Sequence, residues 1–169
     1  MRSYSFDSVR GASRAPAGPS IKRFRSEVPG SSFGPQAGHG DPSSKLANSS
    51  PILVLDDDPA IAELTAQILK TGGYQAQAVT NPEEALHLVA SGSVQVVITD
   101  RQMPIMSGEA FVRAAKVLCP ATRAILMGGE VDDVTDSRGV DSILAKPFSP
   151  SALLQAVAEA IEAAAGTRQ

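Results

Sequence analysis

Acidic side chains and one lysine follow apolar stretches at three separate points of the sequence. Asp56 and Asp57 come directly after the run ILVL, Asp100 follows VVIT, and Lys146 follows SILA. Several carboxylates at one place repel one another unless a cation intervenes, and Mg²⁺ suits them because it is a hard ion that prefers oxygen ligands. With Mg²⁺ bound, Asp100 could act as a nucleophile toward phosphorus while the metal and Lys146 neutralise charge on the transferred group.

The elements that must hold these residues are apolar strands that alternate with amphipathic helices from Pro51 onwards. The apolar runs predict five strands, at residues 52–55, 74–79, 94–99, 124–127 and 142–145. Helix caps such as Asp58, prolines at first helical positions such as Pro59, and closing glycines predict a helix after each strand. The acid-rich stretch EVDDVTDSRG, residues 130–139, gives the weakest of these helix predictions.

This order of elements predicts an α/β fold of the flavodoxin-like type. Parallel strands need crossover helices on both faces of the sheet, so five strand–helix units imply a (βα)5 doubly wound parallel sheet with strand order 2-1-3-4-5. In that order the first and third strands are neighbours at the switch point, which places Asp56 and Asp57 beside Asp100. Lys146, at the end of the fifth strand, is expected at the same end of the sheet. Each residue alone could be only a helix cap, a turn residue or a solvated charge, but the three matched strand ends favour a site.

Composition divides the chain into two regions. Residues 1–49 are rich in Ser, Gly and Pro, carry seven basic residues against three acidic ones, and are expected to be a disordered tail. We expect the folded domain at 50–166 and a short C-terminal end at 167–169. Eight basic and fifteen acidic residues follow the tail, which argues against nucleic-acid binding by the folded part.

The sequence also gives expectations about cellular location. No apolar run approaches the length of about 18 residues that a membrane span requires. Cys119 is the single cysteine, so no internal disulfide is possible and a cytoplasmic location is expected.

The motifs at the three strand ends resemble those of the receiver domains of two-component response regulators. They are LDDDP at 55–59, TDRQMPIMSG at 99–108 and AKPFS at 145–149, and the resemblance covers residues 51 to about 165. It implies a signalling domain rather than an enzyme. Its partners would be a sensor histidine kinase or a histidine phosphotransfer protein and a downstream effector, since we expect no output domain in this chain.

The resemblance also assigns roles to individual residues. Asp100 would be the phosphoacceptor, taking a phosphoryl group from a histidine of the partner kinase. Asp56 and Asp57 would serve Mg²⁺ together with Asp100, and the backbone carbonyl of Gln102 would supply another ligand. Lys146 would pair with the phosphoryl group.

Two positions depart from the pattern of these domains. Gly128 stands where a Ser or Thr hydroxyl usually binds the phosphoryl oxygen, although the backbone N–H of Gly129 could still donate to it. Ile143 stands where an aromatic ring usually reports the switch. We therefore expect phosphorylation to survive while its structural consequence shrinks.

Two other hypotheses for the function stay open at this point. The first is an interaction module that binds its partner regardless of phosphorylation, because Gly128 and Ile143 remove two parts of the switch. The second is a metal-dependent phosphatase of the haloacid dehalogenase type, since Asp56-x-Asp58 after a strand imitates its nucleophile motif. Ala60 stands where that motif expects Thr or Val, and no late acidic pair follows Lys146.

Overall fold

The computed structural model describes residues 22–24, 51–128 and 138–166. Its strands are β1 Lys22–Phe24, β2 Ile52–Leu55, β3 Ala76–Val79, β4 Val96–Asp100, β5 Arg123–Met127 and β6 Ser142–Leu144. Its helices are α1 Pro59–Thr71, α2 Pro82–Ala90, α3 Gly108–Leu118 and α4 Pro150–Gly166. Of the helices in this part of the chain, none combines the length and apolar character needed to span a bilayer.

The six strands form one sheet in the order β1-β6-β5-β4-β2-β3, and every pairing is parallel. Strands β2 to β6 correspond to the five strands predicted from sequence, and their order is the predicted 2-1-3-4-5. The flavodoxin-like fold is therefore confirmed. The prediction of a fifth helix within 130–139 concerns residues that lie almost wholly outside the described chain, where only the turn at Arg138 and Gly139 is seen.

Strand β1 was not predicted, because residues 1–49 were expected to contain no regular structure. Lys22, Arg23 and Phe24 pair in parallel with Ser142, Ile143 and Leu144 of β6. The outer edge of β6 offers backbone N–H and C=O groups that a neighbouring strand can satisfy. A three-residue strand is too short to show a periodic pattern in the sequence, so this pairing could not be predicted. The other residues of the segment lie outside the described chain.

The hydrophobic core has two halves, one on each face of the sheet. On one face, strand residues such as Leu55, Val97 and Leu126 pack with Val89 of α2 and Phe111 of α3. The other half contains strand residues and residues of α1 and α4, namely Ile52, Val54, Ile98, Ile125, Met127, Ala66, Leu69, Leu153 and Val157. Successive strand side chains point to opposite faces, so burial on both faces explains why the strands carry unbroken apolar runs.

A charged cluster connects β5, β6 and α3. It lies at the amino-terminal ends of the strands, on the opposite side of the sheet from the carboxyl ends of β2 and β4. Asp141 Oδ2 accepts from Lys116 Nζ at 2.7 Å and from the Ala124 N–H at 2.8 Å, while its Oδ1 accepts from Arg123 Nη1 at 2.9 Å. Arg123 Nη2 also donates to the carbonyl of Ala163 in α4. Burial acts to raise the pKa of Asp141, but these donors outweigh it and hold the pKa below its ordinary value.

We expect Asp141→Asn to lower the free energy of unfolding at pH 7 by about 2 kcal/mol, because it removes a partly buried charge that two cations share. The folded-state pKa is depressed, so this contribution is present above the unfolded pKa of about 3.9 and disappears as pH falls through the lower folded pKa. Denaturant unfolding of both proteins at pH 7 and at pH 3 measures it.

Glu63→Gln is the matched control, since Glu63 pairs with Lys70 at 3.6 Å and both side chains are largely exposed. Its effect should stay below about 0.5 kcal/mol. A gap between Asp141→Asn and the parent protein that is as large at pH 3 as at pH 7 would contradict the electrostatic explanation.

Candidate functional site

The carboxyl ends of β2 and β4 bring Asp56 and Asp100 together. Leu55 of β2 is paired with Thr99 of β4, so the residues that follow them lie side by side at the edge of the sheet. Asp56 is buried, and 11% of the Asp100 side chain is exposed. Lys146 follows β6 by two residues, and its peptide bond to Pro147 is cis. The sequence predicted this neighbourhood from the strand order.

Lys146 connects the two carboxylates. Its Nζ donates to Asp100 Oδ1 at 2.6 Å and to Asp56 Oδ2 at 3.3 Å. Backbone amides bind the other oxygens, since the Gln102 N–H donates to Asp100 Oδ2 at 2.9 Å and the Asp58 N–H donates to Asp56 Oδ1 at 3.0 Å. Both carboxylates are thus held in fixed orientations.

The loop after Asp100 returns to the sheet because residue 108 has no side chain. The Gly108 N–H donates to the Arg101 carbonyl at 2.9 Å. A Cβ on Gly108 would overlap the Asp100 carbonyl oxygen and a methyl group of Leu126. Ser107 then caps α3 by accepting from the Ala110 N–H at 3.3 Å. Glycine at position 108 therefore allows α3 to begin directly beside Asp100.

Asp57 and Asp58 have different environments although they are adjacent in sequence. Asp57 is exposed and lines a cavity of about 610 Å³ that Gln102 also lines. Asp58 caps α1, accepting from the Ala60 N–H at 2.8 Å and the Ile61 N–H at 3.4 Å. Asp58 therefore has a structural task at the start of α1, as its position before Pro59 predicted.

Asp56 and Lys146 both have raised pKa values, for different reasons. Burial raises the pKa of Asp56, and Asp100 adds to the increase; the Asp58 N–H and Lys146 oppose it without cancelling it. For Lys146, burial acts to lower the pKa, but hydrogen bonds and charges from Asp100 and Asp56 raise it overall. The site therefore holds more negative charge than one ammonium group balances.

The residues present suit a Mg²⁺ ion. Among residues 51–128 and 138–166, no three acidic, His or Cys side chains are grouped so that they could hold a metal ion by themselves. Mg²⁺ keeps several waters and commonly binds through only one or two carboxylates. Asp56 and Asp100 provide two, and Asp57 is exposed close by. The donor set therefore fits the ion.

Gly128 and Ile143, the two departures from the receiver pattern, lie in very different surroundings. Ile143 is 2% exposed and belongs to the core. Gly128 has φ +139°, and a Cβ there would lie 2.9 Å from the Cβ of Arg101. Gly129, the predicted backbone donor, lies outside the described residues.

Sequence reasoning missed one charged pair at this site. Arg101 Nε donates to Glu109 Oε1 at 2.9 Å, with 15% and 11% of the two side chains exposed. Arg101 lies within the motif that identified Asp100, but Glu109 follows it by eight residues across a loop. No helix or strand period links such positions, so the sequence carried no signal for the pair.

We expect Asp56→Asn to raise the free energy of unfolding in metal-free buffer at pH 7, on the order of 1 kcal/mol. The raised pKa of Asp56 means that the ionised carboxylate opposes folding above this pKa, and a neutral amide avoids that cost. Lys146→Met should have the opposite effect, because it leaves two carboxylates without their cation. Thermal unfolding with a chelator present compares them.

Asp58→Asn is the matched control, because Asn caps helices about as well as Asp does. It should leave the midpoint nearly unchanged. A loss of stability in Asp56→Asn would refute the view that the ionised carboxylate opposes folding.

Gly128→Ala should lower the free energy of unfolding by about 1–3 kcal/mol, because the new Cβ meets Arg101 at a φ that L residues rarely adopt. Gly92→Ala, at φ +74° with open space around it, is the control for backbone strain alone. Chemical denaturation of both variants measures the difference; equal losses would show that contact with Arg101 contributes nothing.

The family model of the response regulator receiver domain matches residues 52–158. The response regulator protein FleR of Pseudomonas aeruginosa is 33% identical over 111 residues, which are 63% of this chain and 24% of FleR. The sporulation initiation phosphotransferase F of Bacillus subtilis is 30% identical over 110 residues, 63% of this chain and 89% of that protein.

Solved structures give the same result. The CheY-like response regulator receiver domain protein of Methanospirillum hungatei has a TM-score of 0.66 at 26% identity, covering 71% of this chain and 99% of that one. The chain spans only about a quarter of FleR, so the likeness concerns the receiver region alone. From residue 52 to residue 158, this chain belongs to the response regulator receiver domain family.

Proposed function

We propose that this receiver domain accepts a phosphoryl group on Asp100 from a phosphohistidine of a sensor histidine kinase or a histidine phosphotransfer protein, with Mg²⁺ as cofactor. The observation that carries the proposal is the contact of 2.6 Å between Asp100 Oδ1 and Lys146 Nζ, beside the buried Asp56. A carboxylate held by an ammonium group and a backbone N–H is an oriented nucleophile.

The transfer exchanges one bond to phosphorus for another. An Asp100 oxygen forms a P–O bond as the P–N bond of the donor breaks, and the imidazole nitrogen leaves with the electron pair. Lys146 lies where it can neutralise charge on the phosphoryl oxygens. Asp56, Asp57 and Asp100, with the backbone carbonyl of Gln102, would hold Mg²⁺. Mg²⁺ held by these residues would supply positive charge that reduces the repulsion between the carboxylates and the incoming phosphoryl group.

The proposal extends to partners and location. The donor's phosphohistidine must reach Asp100 through the open side of its cavity of about 350 Å³. One relative is named a phosphotransferase, which supports a place for this chain in a phosphorelay. We propose that the domain signals by binding an effector protein and works in the cytoplasm. The backbone N–H of Gly129 would donate a further hydrogen bond to the phosphoryl group.

Incubation of the chain with Mg²⁺ and acetyl phosphate should add one phosphoryl group, measured by intact-protein mass spectrometry. Asp100→Asn should abolish the addition, because an amide is not a nucleophile toward phosphorus, and a chelator should suppress it by removing the cation. Asp58→Asn, the same change of carboxylate to amide at a helix cap, should be labelled like the parent protein. An unlabelled parent protein, or labelled Asp100→Asn, would refute the proposal.

A second candidate function is binding to a partner protein with an affinity that does not depend on phosphorylation. It is favoured by Gly128, which has no hydroxyl, and by Ile143, which is buried in the core and carries no ring. The two candidates differ in one measurement: the affinity of the chain for its cognate partner with and without beryllofluoride, a mimic of the phosphoryl group. Equal affinities would support this second function, and a change would support the phosphorylation switch.

The geometry of the site gives little support to the hypothesis that the chain is a phosphatase. The motif Asp56-x-Asp58 would need both acids at the reacting centre, but Asp58 caps α1. Asp56 is held by the Asp58 N–H and by Lys146. Members of the receiver family are signalling domains, and we place this chain among them on that ground.

A further inference from the structure

Arg101 occupies the space beside Gly128. The side chain of Arg101 runs past this glycine, with its Cβ 2.9 Å and its Cδ 3.8 Å from the position that a Cβ on Gly128 would take. A residue with a side chain at position 128 would therefore collide with Arg101 as it is placed here. Glycine at 128 and arginine at 101 form a complementary pair.

The backbone of Arg101 is fixed on both sides. Its N–H donates to the Met127 carbonyl at 2.8 Å, and its carbonyl accepts from the Gly108 N–H at 2.9 Å. The start of the side chain is thus anchored immediately after Asp100. Only rotations within the side chain can redirect the guanidinium group.

The Arg101 side chain has one acidic partner, and it also lines a cavity that contains a second acidic residue. Its Nε donates to Glu109 at 2.9 Å, yet Arg101 also lines the cavity of about 350 Å³ that contains Asp100, Gly128 and Lys146. Glu109 is 8% exposed and stands in the first turn of α3. Lys146 and Arg101 are therefore the two cationic side chains that line the cavity around Asp100.

A phosphoryl group on Asp100 would change the balance between these partners. It carries close to two negative charges and three acceptor oxygens, whereas Glu109 carries one charge. Guanidinium groups bind such oxygens through paired N–H donors, and charge-assisted hydrogen bonds of this kind are strong where water is excluded. The added charge would also lie inside the cavity that Arg101 lines.

We propose that, when Asp100 is phosphorylated, the guanidinium group of Arg101 leaves Glu109 and binds a phosphoryl oxygen, in place of the hydroxyl that Gly128 lacks. This inference rests on the proposed phosphorylation of Asp100. The exchange leaves the buried Glu109 carboxylate without this partner at the start of α3. Phosphorylation would thereby act on the first turn of α3.

The test measures the affinity of the chain for beryllofluoride in the presence of Mg²⁺ by titration calorimetry. Arg101→Ala should weaken binding about 10- to 100-fold, because it removes a charge-assisted contact. Glu109→Gln should strengthen binding a few-fold, roughly three to ten times, because it weakens the competing ion pair. Arg113→Ala is the matched control, since Arg113 lines the neighbouring cavity but not that of Asp100, and it should bind like the parent protein.

A second readout distinguishes direct contact from a structural effect. The Nε–H resonance of Arg101 should shift when beryllofluoride is added to the parent protein and stay in place in Asp100→Asn. Arg101→Lys, which keeps the charge but loses the planar fork, should recover part of the affinity. Circular dichroism checks that every variant is folded.

The outcomes separate this inference from the proposed function. If the parent protein binds no beryllofluoride, phosphorylation of Asp100 itself is refuted. If the parent protein binds it and Arg101→Ala binds equally well, the role of Arg101 is refuted while the phosphoacceptor stands. An unchanged or weakened affinity in Glu109→Gln would overturn the exchange of partners.

Discussion

The rest of the site depends on one ammonium group that serves two carboxylates. Lys146 contacts Asp100 at 2.6 Å and Asp56 at 3.3 Å, and these three residues come from the ends of three different strands. These contacts connect the ends of the three strands, but they leave two carboxylates with only one ammonium group between them. The raised pKa of Asp56 follows from its burial beside another carboxylate. A buried charge that is incompletely compensated is typical of sites that bind ions or perform chemistry.

Asp141 provides the contrast within the same chain. Two cations and a backbone N–H surround this single carboxylate, and its pKa is lowered although it is partly buried. Asp56 has one shared cation and a raised pKa. Burial acts to raise the pKa of both groups. The difference comes from the larger number of donors around Asp141 and from the charge of Asp100, which adds to the increase at Asp56. At one end of the sheet several donors surround a single carboxylate, while at the other end Asp56 and Asp100 share one ammonium group.

The sequence predicted most of the fold because the fold follows from local patterns. Unbroken apolar runs indicated strands buried on both faces, and cap residues such as Asp58 marked where helices begin. The strand order then placed Asp56, Asp100 and Lys146 together. Strand β1 escaped prediction because its partner is β6, more than a hundred residues away, and three residues carry no period. The Asp141 cluster and the Arg101–Glu109 pair escaped for the same reason, since both join distant or irregularly spaced positions.

The two departures from the receiver pattern, Ile143 and Gly128, differ in how tightly their surroundings are packed. Ile143 is buried in β6, and β1 pairs along the outer edge of that strand, so both sides of β6 are already occupied. A change of charge at Asp100 can therefore move β6 very little. Gly128, in contrast, leaves space that Arg101 fills, and Arg101 is paired with a residue in the first turn of α3. Rotation of one side chain needs less rearrangement than movement of a packed strand. The loop from Asp100 to α3 is therefore the part of the site best placed to respond to a change of charge at Asp100.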